Sequence, residues 1–236
     1  MAFIHSPKIV TSGLTLCLDA ANKVSYPSPD DSRWYDLSGN NNRGTLTNGP
    51  TFSNLNGGCI VFDGTDDYVN IPYNVNLNPT TNVSVSVWSR LTVSDSSIRN
   101  PIELSASADE LYYILWRGDL SPKRWTFGIR QSNNTYAETQ STDTNFSINT
   151  WYNLTLVANS STGLVSLYIN GILDGSIAYN GTLKQNAAAT LSIGSDPGVA
   201  RRYWQGNISN AQIYNRALTA TEILQNYNAT KTRFGL

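Results

Sequence analysis

The sequence predicts an all-β chain closed by one short helix, on three observations. Short runs of alternating apolar and polar residues recur between turn residues, which is the period of a half-buried strand. Asn170-Gly171 separates two such runs and is the strongest short-range hairpin signal. Thr219-Ala220-Thr221-Glu222 has capping-box spacing ahead of Ile223, Leu224 and Tyr227, a stripe that lays a helix on a larger body.

Taken in order, residues 1–12 read as an extended arm and 13–236 as a single domain. A chain of this length fits one all-β domain and buries a large core without staples. Alternation places strands at 14–19, 59–63, 67–71, 83–91, 111–116, 124–131, 151–158, 164–170, 190–194 and 207–214. Val83, Val85 and Val87 share one face of the clearest run, with Ser84, Ser86 and Trp88 on the other. Trp88 and Trp151 are expected between the sheets, where large aromatics dominate. Pro79, Pro101, Pro122 and Pro197 are placed between strands, where a missing N–H does no harm. Segments 20–42, 94–110 and 117–123 read as loops facing outward. Cys17 and Cys59 sit in apolar stretches, so they are two buried thiols or one bridge between adjacent strands. A core this large favours the thiols.

Lys+Arg 16 against Asp+Glu 17 leaves a net charge of −1, so no global field recruits nucleic acid or an anionic membrane. No basic start leads into an apolar core at Met1–Lys8, and no apolar run nears the ~20 residues of a membrane helix. No secretory signal is expected. His5 is the single histidine and lies in the arm, which excludes histidine-based triads and histidine zinc sites. Retaining glycosidases need two carboxyl groups ~5–5.5 Å apart, which same-face residues of one strand supply. Glu103, Glu110, Glu138 and Glu222 show no such spacing, and Asp109 and Glu110, being adjacent, should face opposite ways. The chain is therefore not expected to be an enzyme.

Trp116, Arg117, Trp125, Arg201 and Tyr203 form an aromatic and arginine set suited to stacking on sugars or to an interface. A place in the core is the alternative for the two tryptophans. Arg117-Gly118-Asp119 spells an adhesion tripeptide, a match short enough to arise by accident.

Leu14–Asn22, Trp34–Asn40, Gly44-Thr45-Leu46, Phe62–Val69, Trp151–Leu154, Tyr168–Gly171 and Ile213–Leu218 together carry a resemblance spanning nearly the whole chain. In these runs the sequence resembles the laminin-G-like domains of the concanavalin-A-like lectin/glucanase superfamily. The version opening Leu16-Cys17-Leu18-Asp19-Ala20-Ala21-Asn22 and closing near Asn226-Tyr227-Asn228-Ala229 resembles virion structural proteins of tailed phages, cyanophages among them. The resemblance implies two antiparallel sheets packed as a jelly roll, with the first and last strands side by side. It also implies a calcium ion near Asp63, Asp66 and Asp67, with oxygen ligands that suit calcium. Ser209 stands where relatives often carry Asp, so a capped turn without an ion is the alternative. The function implied is a non-enzymatic virion component at the particle surface: a capsid decoration, fibre or tail-associated adhesion module. Its arm and one sandwich edge would meet other virion proteins, and its loops host glycans. Decorating proteins of this kind are usually symmetric homo-oligomers. A free carbohydrate-binding lectin is the alternative.

Overall fold

The computed structural model describes residues 7–107, 109–198 and 201–236; His5 and the first half of the arm lie outside them. The chain opens with β1 (Leu14–Asp19), β2 (Arg33–Trp34), β3 (Gly44–Thr47), β4 (Thr51–Ser53), β5 (Cys59–Asp63), β6 (Tyr68–Ile71), β7 (Val83–Leu91) and β8 (Ile98–Ala106). It continues with β9 (Asp109–Arg117), β10 (Arg124–Arg130), β11 (Tyr136–Gln140), β12 (Trp151–Asn159), β13 (Leu164–Ile169), β14 (Ile172–Ala178), β15 (Thr190–Ile193), β16 (Gln205–Tyr214) and α1 (Ala220–Thr230). All neighbouring strands are antiparallel. A back sheet runs β14-β13-β12-β7-β16-β5-β4, and a front sheet runs β11-β10-β9-β8-β15-β6-β3-β2. β1 adds to the back sheet along the far half of β16, pairing Leu16 with Ile213 and Asp19 with Asn210, so first and last strands do lie together.

Between the sheets, Val83, Val85 and Val87 of β7 meet Ile114 and Trp116 of β9 and Trp125 and Phe127 of β10 in one core. The other face of β7 is covered as well. Trp88 and Trp151 lie outside the back sheet, where Trp88 stacks on Phe234 at 4.0 Å and on Tyr227 at 5.7 Å beneath the C-terminal segment. Both indoles are buried as expected, but on the opposite side of the sheet. Alternation fixes which face a residue takes, whereas the helix that follows β16 decides that both faces of β7 are dry. α1 begins with the predicted capping box: Thr219 accepts from the Glu222 N–H and Glu222 accepts from the Thr219 N–H.

Two loop expectations give way to strands. Segment 94–110 contains β8, a central strand of the front sheet, and Pro101 sits inside it. The register with β9 shifts between Arg99 and Ile102, and this irregularity accommodates the missing N–H. Segment 20–42 contains β2 and buries Tyr26 and Trp34 rather than facing outward. The described part of the arm is fastened down: the Val10 N–H donates to Asn226 Oδ1, and the Gln225 amide donates to the Lys8 carbonyl. Cys17 and Cys59 are both buried and unbridged. No helix of the described residues is long and apolar enough to cross a membrane.

Candidate binding face

Strand register sets one row of residues across all eight strands of the front sheet. Arg33 lies opposite Thr45, Thr45 opposite Asn70, Asn70 opposite Ser192 and Ser192 opposite Glu103. Glu103 then faces Tyr113, Tyr113 faces Gly128 and Gly128 faces Glu138. Neighbours along these strands, among them Trp34, Val69, Leu191, Ile102, Tyr112 and Phe127, are core residues, so the row lies on the outer face. That face is polar from edge to edge.

One half of the row is closed over. On β8 and β9, Leu104 pairs with Tyr112 and Ser105 with Glu110, leaving Leu111 as the extra residue of a bulge. Leu111 and Tyr112 both join the core, and Glu110 is thereby brought to the outer face beside Glu103. The segment after β15 adds Asp196. Carboxylate oxygens of Glu103, Glu110 and Asp196 all lie within 4.8 Å of one another, a convergence invisible to spacing on a single strand. Arg202 Nη1 donates to Glu110 at 2.6 Å and Arg201 Nε donates to Asp196 at 3.0 Å. Glu103 is fully buried and takes a hydrogen bond from the Asn100 amide. Burial, and then the Asp196 and Glu110 charges, push its carboxyl well above the usual carboxylate range. Arg202 pairs with Glu110 and Arg201 with Asp196, and these ion pairs hold the β15–β16 connection on the sheet.

The other half is open. The Asn100 N–H donates to the Arg202 carbonyl at 2.8 Å, Arg99 donates to the Tyr203 carbonyl at 2.8 Å, and Trp204 is wholly buried. Beside these anchors, Tyr203 and Tyr68 line a cavity of about 160 Å³ together with Asn70, Thr190, Ser195, Asp196 and Pro197. Ser195 is bonded to Ser192 and Asp196 to Gly198 and Arg201. The side-chain polar groups of Tyr68, Asn70, Thr190 and Tyr203 have no partner among the described residues, although each is half-buried. Burial and the nearby Asp66 and Tyr68 raise the Tyr203 phenol.

The structure divides the residues singled out in the sequence. Tyr203 belongs to this cavity, and Arg201 reaches it only through its bond to the lining Asp196. Trp116 and Trp125 do not: each is about 4% exposed or less and packed edge to face at 5.2 Å in the core, and both border a separate small cavity of about 30 Å³ with Lys123 and Tyr152. Arg117 spends both donors on Asp119, at 2.8 Å each, which closes the adhesion tripeptide on itself. Tyr68, Asn70 and Thr190 were missed; their alternation on β6 and β15 marks them as outward but not as sharing a cavity with Tyr203. Asp63, Asp66 and Asp67 bring carboxylate oxygens within 4.8 Å of one another beside the cavity. Asp67 accepts from the Asp63 N–H at 2.9 Å and Asp63 from the Thr65 N–H at 2.7 Å. The Asp66 carboxylate has no partner among the described residues. Burial, with Asp63 and Asp66 adding to it, raises Asp67, so a cation would relieve this turn.

The family model for the concanavalin A-like lectin/glucanases superfamily, of laminin G type, matches residues 63–224. The chain belongs to that superfamily. Its two-sheet sandwich is close to that of the botulinum neurotoxin serotype D ligand-binding domain in complex with N-acetylneuraminic acid. That match has a TM-score of 0.72 at 16% identity over 92% of this chain and 51% of the toxin domain. The binding domain of Paraclostridial mosquitocidal protein 1 gives 0.70 at 16% identity over 92% and 52%. This superfamily member therefore spans about half the length of those two domains. Domain 4 of an extracellular arabinanase from Geobacillus stearothermophilus, in complex with arabinotriose, gives 0.65 at 19% identity over 92% and 98% of the chains. No curated protein matches the sequence.

Proposed function

We propose that the chain is a non-catalytic glycan-binding module that takes a sugar between Tyr68 and Tyr203. One observation carries this reading: four half-buried, unpartnered polar side chains, two of them the tyrosines Tyr68 and Tyr203, line a cavity of about 160 Å³. Sugar rings offer apolar C–H faces to aromatic rings and hydroxyls to amide and hydroxyl groups, so the wall chemistry fits them. A superfamily fold shared with an arabinotriose-bound domain supports it. Hydrolysis is not part of the proposal, because Glu103 is fully buried, while Glu110 is paired with Arg202 and Asp196 with Arg201. Calcium belongs to the same reading, held by Asp63, Asp66 and Asp67 at the margin of the cavity.

The setting we propose for this module is the surface of a tailed-phage particle, as a decoration, fibre or tail-associated adhesin touching host glycans. The run Leu16–Asn22 and the closing Asn226–Ala229 support it through their resemblance to such proteins. In that setting the arm and a sandwich edge meet other virion proteins, and the module is a homo-oligomer. Co-sedimentation with purified particles tests the setting. For the module itself, glycan-array screening followed by calorimetry compares wild type with Tyr203→Ala. Binding that falls about tenfold or more, with an unchanged melting temperature, is the expected result. Absence of binding to any glycan, or binding untouched by Tyr203→Ala, overturns the proposal.

A further inference from the structure

The binding face does not end at the tyrosine cavity. Asn70 lines that cavity, and its cross-strand partner Thr45 lines a second, open groove of about 370 Å³ with Asn41, Arg43, Pro72, Tyr73 and Asn74. The two hollows are thus joined through one residue pair on the outer face of the front sheet. No carboxylate lines the second groove.

Its charge is unusual for this protein. Of the eleven arginines, Arg99, Arg117, Arg130, Arg201, Arg202, Arg216 and Arg233 are ion-paired. Arg90 and Arg124 donate to neutral oxygens. Only the side chains of Arg33 and Arg43 have no hydrogen-bond or ion-pair partner among the described residues, and both flank Thr45. Arg43 immediately precedes β3, where Gly44 turns inward against Val69, so Arg43 and Thr45 bracket it on the outer side. Asn41, Thr45 and Tyr73 also keep unbonded side-chain polar groups there. A chain that neutralises most of its arginines leaves Arg43 open in this groove and Arg33 open on the neighbouring strand, opposite Thr45.

We infer that the ligand is an acidic oligosaccharide, with one unit between Tyr68 and Tyr203 and an anionic unit, carboxylated or sulfated, against Arg43 with Arg33 beside it. This rests on the glycan-binding reading and names the substrate class of that same face. The guanidinium fork matches a carboxylate or sulfate in two parallel N–H···O bonds, and a neutral sugar offers no such bidentate anion. A neutral saccharide would fill the tyrosine cavity and leave the arginines in water.

Calorimetry on the whole chain tests this with three trisaccharides: galactose, galacturonate and a sulfated galactose series. Wild type is expected to bind at least one acidic series about tenfold more tightly than the neutral one at low salt, with the gap narrowing as salt rises. Whichever acidic arm binds identifies the anion. Arg43→Gln should remove the preference by lowering acidic affinity toward the neutral level, and Arg33→Gln should reduce it in part. Equal affinity for neutral and acidic series in wild type, or a preference surviving in the Arg33→Gln/Arg43→Gln double variant, overturns the inference while leaving the glycan site intact. Neutral affinity unmoved by Tyr203→Ala instead overturns the glycan site while the arginine arm is judged separately. No binding in any series removes both.

Discussion

The Tyr113 ring lies over the bare Cα of Gly128 on the next strand and donates from its hydroxyl to Glu138 Oε2 at 2.5 Å. Three consecutive members of the transverse polar row, Tyr113, Gly128 and Glu138, are thereby locked as one unit on the closed half of the front sheet. Burial, with the Glu138 charge adding to it, raises the phenol far above its ordinary range, so it remains a donor at any working pH.

A Cβ at position 128 would collide with the Tyr113 ring carbons. Gly128→Ala should cost about 1–3 kcal/mol in urea unfolding, the usual range for overpacking. Adding Tyr113→Ala should recover part of the loss, because it removes the ring that the new methyl meets. A neutral Gly128→Ala would show that the ring does not need that space.

The acidic turn predicts a calcium-dependent melting temperature. Free calcium at 100 times Kd adds about 2.7 kcal/mol, which for a chain of this size is about 5–10 °C. EDTA should reverse the gain. Asp66→Asn should abolish it without disturbing the turn, since the Asp66 side chain caps nothing there. An unchanged transition in EDTA rules the ion out.

At the C-terminal helix, Arg216 donates to both oxygens of Glu222, at 2.9 and 2.7 Å. That pair, together with the Thr219 N–H, lowers the Glu222 carboxyl to about 2. A depressed carboxylate stabilises the fold above its unfolded pKa of ~4.3, and the contribution is lost as pH falls through the folded value. Stability should therefore decline between about pH 4.5 and 2, and Glu222→Gln should flatten part of that slope. The expected loss for Glu222→Gln at pH 7 is about 1 kcal/mol, a typical cap contribution. A pH profile identical to wild type would count against the pair.

Burial, then the Asp19 and Asp36 charges, push the Cys17 thiol up to about 12, and burial also raises Cys59. Neither thiol should react with a disulfide reagent at pH 8 in the native state, since the thiolate is the nucleophile. Both should react once urea unfolds the chain. Rapid native reaction of one thiol would mean that its strand opens locally.

Much of the fold was legible because it is written locally. Alternation revealed ten of the sixteen strands among the described residues, Asn170-Gly171 marked its hairpin with positive φ at both residues, and the capping box set the helix start. Local signals failed where a neighbour overrules them. β8 was hidden because Asn100-Pro101 breaks its pattern, and only a register shift against β9 lets that proline sit in a central strand. The Trp88 side of β7 was dry only because Trp151 and Phe234 arrive from 63 and 146 residues further on.

The sequence by itself determined the period of the regular strands, the Asn-Gly hairpin turn and the cap of the helix. Tertiary structure decided the candidate binding face. Glu103 and Glu110 share a side only because a bulge at Leu111 reverses one alternation, Tyr203 lines a cavity with Tyr68 only because Trp204 is anchored in the core, and Arg43 is open only because no acid folds beside it. Hydrogen-bond period acts over two residues and is readable along the chain. Which strands become neighbours depends on burying the whole apolar surface at once, and no single segment carries that information.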